Sequence, residues 1–500
     1  MTKPGDLGER PMIGRPFWRV YRSALILAIW ALVGADAWRP AAAADLGGNC
    51  CADLEGRMAE LEATAVRRGS RRVSLTLSGQ VVRSILYWND EFQSDIYSVD
   101  NVLNTSRFRF VGSAGIYQEL QAGFMMELDL RLGARSNQIN QFDDDGISGS
   151  GGILGGAALG DGIGGAGDSV IGIRIANWWL ESKHLGKLTL GRLNTGTGDI
   201  STIDLSGSSV ITSSEPGNWN DFFMRNALGA AGGATWSTQC GGPSAAGPYS
   251  SDCFEQGPSR RDAARYDTPT WHGFGVSAAF GEDDFWDVAL RYSGEWHGFR
   301  VAAGIGYRRY EDREPDVVVF GPPDRKLRDT DRRHWLTSAS AMHVASGLFL
   351  NGAYTRYEFH GTNANEVIGG VVANGNRPDI PMWWVSGGIQ RNWFVPGNTT
   401  FYGEYGWFED GTAGLLAATA YPKLGPLGGG TFTAGSIVTN SQVAWWGFGA
   451  VQTIDAAAID LYIGYRAYQA DAAISGGPTN QIPGGLQDIR FIQAGARILF

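Results

Sequence analysis

Arg107 and Arg109 are two residues apart, so on an extended strand both guanidinium groups stand on one face and Phe108 and Phe110 on the other. Arginine keeps its charge and holds a fixed direction. Guanidinium groups on one wall of a water-filled passage, faced by carboxylates across it, set up a transverse field that orients dipolar solutes. Arg131 and Arg192 are further wall candidates. The facing acids are expected from one long segment that carries Asp199, Asp204, Glu215 and Asp221. On a lipid-facing wall, by contrast, each Arg costs about 2–4 kcal/mol at mid-bilayer.

No competing chemistry emerges. His184, His272 and His297 sit in predicted short turns, and His334, His343 and His360 are scattered. No Cys–His or His–His spacing matches a metal site. The Gly-rich run 146–167 lacks the Gly-Lys-Ser/Thr ending of a phosphate-binding loop. No convincing Ser–His pair supports a phospholipase-type barrel enzyme. The run Asp143-Asp144-Asp145 reads as a solvated stretch of a Gly-rich loop, with a divalent cation or a neighbouring subunit as the alternatives. The expectation is no catalytic residue, no cofactor and no metal.

The elements that would hold these charges are strands. From Arg490 to Phe500, Ile492, Ala494, Ala496 and Ile498 alternate with Gln493, Gly495 and Arg497. The same alternation recurs at 124–132, 286–293 and 299–307. Sixteen strands follow from it: approximately 73–88, 105–113, 120–132, 170–182, 187–192, 262–270, 273–281, 286–294, 298–310, 333–343, 348–358, 382–393, 399–408, 441–453, 458–468 and 488–500. Their connections alternate short and long, except for the short 282–285, as in a transmembrane barrel with tight inner turns and long outer loops. Trp88, Trp178, Trp179, Trp286, Trp335, Trp383, Trp384, Trp407, Trp445 and Trp446 fall near strand ends and are expected in an interfacial aromatic belt.

Composition agrees. Glycine is 72 of 500 residues, charged residues are only 18%, and mean hydropathy is −0.16. A helical membrane protein would be greasier; a barrel wets half of each strand. Arg15, Arg19 and Arg22 precede the apolar run Ala24–Val33, and Ala41–Ala44 offers a cleavage site, so 1–44 reads as an export signal, with Met12 an alternative start. Cleavage leaves 35 basic against 48 acidic side chains, which excludes a nucleic-acid partner. Residues 45–72 form a periplasmic segment. Its helix 53–67 has Leu54 and Leu61 seven apart, read either as a short coiled-coil seam that needs partners or as a linker on the barrel rim. Cys240 and Cys253 are expected to pair in an oxidising compartment, whereas the adjacent Cys50 and Cys51 cannot easily pair with each other.

Arg265-Tyr-Asp-Thr-Pro-Thr-Trp-His-Gly-Phe274, Ser106-Arg-Phe-Arg-Phe-Val-Gly112, Leu188-Thr-Leu-Gly-Arg192 and the terminal Phe500 together resemble the alphaproteobacterial porin family. The resemblance spans some 430 residues. It implies an all-β, sixteen-stranded antiparallel barrel at 73–500, in the outer membrane of a Gram-negative cell. It also implies a homotrimer that is passively permeable to ions and small hydrophilic solutes. Outer-membrane lipid and lipopolysaccharide are the expected surroundings, with peptidoglycan a partner of the N-terminal segment. The departure from the family lies at 193–261, a very long connection where relatives carry the inward-folded third outer loop. A solute-selective channel with a site in that loop, and a mainly structural tether, remain as alternatives.

Overall fold

The computed structural model describes residues 73–117, 119–130, 135–137, 139–141, 171–215, 222–240, 260–282, 284–312, 330–361, 365–368, 371–374, 378–394 and 397–500. The chain divides into Met1–Arg68 and Gly69–Phe500. The export signal, the heptad helix, Arg131, Asp143-Asp144-Asp145, Asp221, Cys50, Cys51 and Cys253 all lie outside the described residues.

Twenty-one strands are described, in chain order. They are β1 (Ser74–Asn89), β2 (Ser94–Val99), β3 (Arg107–Tyr117), β4 (Leu120–Leu130), β5 (Ile171–Ser182), β6 (Gly186–Asn194), β7 (Phe223–Arg225), β8 (Ala231–Thr235), β9 (Arg260–Asp267), β10 (Phe274–Gly281) and β11 (Trp286–Trp296). After these come β12 (Phe299–Asp312), β13 (Thr330–His343), β14 (Leu348–Gly361), β15 (Asn365–Ile368), β16 (Val371–Asn374), β17 (Ile380–Phe394), β18 (Gly397–Glu409), β19 (Val438–Ile454), β20 (Ile459–Ile474) and β21 (Ile489–Leu499). Each wall strand pairs antiparallel with the next, and β1 closes on β21 from Gln80↔Leu499 to Asn89↔Arg490. β2 and β3 both pair with the same edge of β1, so they share one wall position. The seventeen-stranded sheet is therefore a closed barrel of sixteen positions. Closure leaves no sheet edge, which lets strands cross lipid. Among the described residues no helix is long and apolar enough to cross a membrane.

The pleat sorts side chains between lipid and interior. On β1, Val81 and Ile85 are exposed while Val82 and Leu86 are fully buried. The short turns carry the residues their geometry demands. His297 (φ 48°) and Gly298 (φ 79°) are both left-handed, as a two-residue hairpin turn requires. His272 (φ 47°) and Gly273 (φ 86°) repeat this geometry at the turn before β10. These histidines are turn formers.

Two readings need correction. The long first link at 89–104 is a hairpin: Asp90 Oδ1 accepts from the N–H groups of Phe92 (3.1 Å) and Gln93 (2.8 Å), and β2 returns along β1. The chain then leaves the wall at Asp100 and rejoins it at Arg107. Across that gap the Ser106 hydroxyl accepts from the Val82 N–H (3.0 Å). The tryptophans are the second correction. Adjacent residues point to opposite faces, so only one of each pair reaches lipid. Trp178 and Trp446 are exposed, whereas Trp179, Trp384, Trp445 and also Trp88 are buried. The belt is instead built across strands, with Tyr307 against Trp286 (5.4 Å) and Trp335 (4.6 Å), Trp383 against Tyr405 (5.3 Å), and Trp446 against Tyr465 (5.2 Å).

The main apolar core sits inside the barrel. Toward the long-loop end, the inward positions of β17 are Ile380, Met382 and Trp384; the next, Ser386, is polar. β20 runs Ala470, Tyr468, then Arg466; β21 runs Ile489, Phe491, then Gln493; β1 runs Trp88, Leu86, then Ser84. The apolar rows pack in one buried cluster with Phe222, Met224 and Trp236 from the β6–β9 connection and Leu415, Tyr421 and Leu424 from the β18–β19 loop. Phe222 meets the rings of Trp88 (5.3 Å) and Phe491 (5.0 Å) edge-on.

Candidate functional site

The β6–β9 connection folds inward and is strapped to the wall. At its start Asp287 of β11 accepts from Gly196 N–H (3.0 Å), Thr197 N–H (2.8 Å) and the Thr197 hydroxyl (2.7 Å), and Arg308 Nε of β12 donates to the same hydroxyl (3.0 Å). Gly304 and Gly306 make room: a Cβ there would lie 2.6 Å from Ile200 and 2.7 Å from Thr197. Further on, Ser340 Oγ accepts from Leu205 N–H (2.9 Å), Asn351 Nδ2 donates to Asp204 (2.8 Å), and Gln390 Nε2 donates to the Ser206 carbonyl (2.8 Å).

The far end is held by a buried ion pair. Arg466 Nε of β20 lies 2.5 Å from Glu404 Oε1 of β18, with both side chains almost fully buried. Glu404 also accepts from the Thr212 hydroxyl (2.7 Å) and Trp384 Nε1 (3.0 Å). Arg466 donates to the carbonyls of Ser213 (3.0 Å) and Glu215 (3.1 Å). A buried pair is tolerable only when its remaining donors and acceptors are matched in this way. The inward detour after β2 meets the strap here, through Asn101 Nδ2 to the Val210 carbonyl (2.8 Å) and Asn104 Nδ2 to the Ser209 carbonyl (2.9 Å). The strap thus covers the wall from β11 to β20 and leaves β3 to β6 outside its path.

On that uncovered wall, Glu127 of β4 gathers three arginines. Its carboxylate lies 2.5 Å from Arg109 Nη2, 2.9 Å from Arg174 Nε and 3.4 Å from Arg107 Nη1. The antiparallel register sets Arg109 opposite Glu127 and Arg107 opposite Asp129. Arg174 arrives through a register shift in the β4–β5 pairing, the kind of bulge that re-aims a side chain. Asp129 is paired with Arg135. Glu127 is 2% exposed and Arg109 42%, with Arg107 and Arg174 at 21% and 20%, so the acid lies beneath, Arg109 faces water and the other two are partly covered. The group of three guanidiniums and one carboxylate carries two surplus positive charges.

The other expected residues scatter. Asp199 is exposed in the strap and accepts from Asn194 Nδ2 (2.8 Å). Asp204 is tied to Asn351, and Glu215 is buried beside Arg466. Arg192 pairs with Ala176 and Asp262 and shares the parity of Leu190, opposite to the buried Leu193. Leu190 lies across from the exposed Trp178, so this register places Arg192 on the outer face rather than the expected inner one. Cys240 ends the 3-10 turn Trp236–Cys240, and its proposed bond to Cys253 lies outside the described residues. The sequence reading did not single out Glu127 as a charge partner, nor Arg174, Asp287, Arg308, Glu404 or Arg466. Strand parity could have placed Glu127, Asp287, Arg308, Glu404 and Arg466 indoors, whereas a bulge sets Arg174 off parity, and nothing local could have paired any of them. Among the described residues no group of three or more His, Cys, Asp or Glu side chains could hold a metal ion.

The Gram-negative porin family model matches residues 39–473. No curated protein matches the chain. Similar solved structures include the anion-selective porin from Comamonas acidovorans, at 16% identity over 86% of this chain and 100% of that one, TM-score 0.49. OmpT of Vibrio cholerae follows at 11% identity over 87% and 100%, TM-score 0.46. Salmonella typhi OmpF in complex with daunomycin stands at 12% identity over 85% and 98%, TM-score 0.45.

Proposed function

The chain belongs to the Gram-negative porin family, and from that membership we propose an outer-membrane channel that prefers small anions. The barrel is an outer-membrane channel for passive diffusion of small solutes. The anion preference rests on one observation, the two surplus arginine charges around Glu127, on the wall that the strap leaves uncovered. A narrow water column lined by surplus charge concentrates the opposite ion and repels its own sign. Arginine cannot lose that charge at any physiological pH. Asp199 and Asp204, on the strap, supply the facing acids of the transverse field. No residue in this reading performs a reaction.

The finer assembly belongs to the same proposal. Arg83 stands exposed between Val81 and Ile85 on the outer face of β1. An arginine facing lipid at mid-bilayer costs about 2–4 kcal/mol. A homotrimer that covers β1 and β2 removes this cost. Residues 1–44 act as the export signal, and 45–72 reach toward peptidoglycan while lipopolysaccharide surrounds the outer rim. The test of anion preference is a reversal potential across planar bilayers in a salt gradient. A potential of anion sign supports the proposal, and one of cation sign refutes it. Chemical cross-linking in detergent tests the trimer separately; a ladder that stops at one chain removes it.

A further inference from the structure

We propose that the inner sector bounded by β17 to β21 and β1 is dry on the outer side of the strap. The two loops that cover it, pinned to each other and to the wall through the buried Trp236, Gln239 and Tyr421, then narrow the outer mouth, separately from the arginine-lined wall. The inference rests on the channel reading. In a water-filled barrel the inward positions are polar. Here four of those strands change from apolar to polar inward residues: Trp384 to Ser386 on β17, Tyr468 to Arg466 on β20, Phe491 to Gln493 on β21 and Leu86 to Ser84 on β1, in a line that steps two residues along the register from β20 to β21 and again from β21 to β1. Below the change the strap is held by hydrogen bonds and the Glu404–Arg466 pair. Above it the wall is covered by packed rings and aliphatic side chains.

The cover comes from two loops that dock on each other as well as on the wall. Trp236 packs on Tyr468 at 6.3 Å and is 1% exposed. The Tyr421 hydroxyl donates to Gln239 Oε1 (3.1 Å) and is paired with the Thr412 hydroxyl (2.9 Å). Burial of Tyr421 within its loop pushes its phenol up to about 12. Gln239 and Tyr421 are fully buried. A buried amide and phenol matched to each other fix the mutual placement of the two loops, because an unmatched one would be costly. Interdigitated cores do not deform continuously, so this cover narrows the outer mouth as a fixed wall and not as a hinged lid. Solutes pass through the remaining sector, which the docked loops narrow.

The test uses the full chain with Cys50, Cys51, Cys240 and Cys253 replaced by Ser. In this background Ala470→Cys places a thiol inside the sector, where Ala470 is buried on β20. A membrane-impermeant thiol reagent should leave it unlabelled in the folded protein and label it after unfolding. Adding Trp236→Ala should make it reactive in the folded protein, raise single-channel conductance and admit a larger sugar in liposome swelling. Labelling of folded Ala470→Cys at the unfolded rate overturns the dry sector. A folded Trp236→Ala protein with parental conductance and sugar limit overturns the narrowing of the mouth by the docked loops. If Trp236→Ala does not fold, labelling of Ala470→Cys alone decides. If the parent carries no current, the channel reading fails, while the labelling result still judges the sector.

Discussion

The inner wall of this barrel differs between two sectors. Around β3 to β5 it is charged, with Arg109 facing water above a buried glutamate and Arg107 and Arg174 partly covered. Around β17 to β21 and β1 its outer half is a packed apolar core, with a buried ion pair where that core ends. Both sectors obey the same two-residue alternation. What differs is what covers the inward face: water in one, two docked loops in the other. Strand parity therefore tells which side chains point inward, but not whether they meet solvent.

Breaking the clamp at the foot of the dry sector should have the largest effect. Glu404→Ala strands the buried Arg466 charge, which costs about 3–5 kcal/mol. Thermal denaturation in detergent should show a clear loss of stability, and single-channel traces should show an unsteady current as the strap comes loose. Parental melting and current would mean that the clamp holds nothing. A smaller effect follows from Thr212→Val, which deletes one hydrogen bond to that carboxylate at a cost of about 1.5–3 kcal/mol. It should lower the melting temperature less than Glu404→Ala does, and an equal or greater drop would misplace the anchor.

The charged sector should respond in selectivity instead. Arg109→Gln with Arg174→Gln removes both surplus charges. Stability should fall less than with Glu404→Ala, because the buried Glu127 keeps Arg107 as a partner. The reversal potential should move strongly toward zero. If melting falls while selectivity holds, the two sectors have been assigned the wrong roles. The mildest effect is that of salt on the parent protein. Screening shortens from about 10 Å at 0.1 M to about 3 Å at 1 M, so anion preference should weaken with concentration. A preference independent of salt would point to a steric filter instead.

Much of the barrel was legible in the sequence. The strands follow from alternation, the short turns from the spacing between strands, and Arg107 with Arg109 from their own spacing. The return strand β2 falls within an expected connection, because it is only six residues long and ends where the chain swings inward. The tryptophan pairs were read as belts, although neighbouring side chains on a strand cannot both face lipid. Glu404 and Arg466 are 62 residues apart, and only barrel closure brings them together. Arg174 required a bulge that no local pattern announces. Arg192 shows the opposite failure: a charge expected indoors stands on the outer parity.

The most direct measurement compares the reversal potential of the parent channel with that of the Arg109→Gln, Arg174→Gln variant, under one salt gradient in planar bilayers. The parent should show a potential of anion sign, and the variant one close to zero. A cation-sign potential for the parent, or identical potentials for the two proteins, would contradict the role given to the arginines around Glu127.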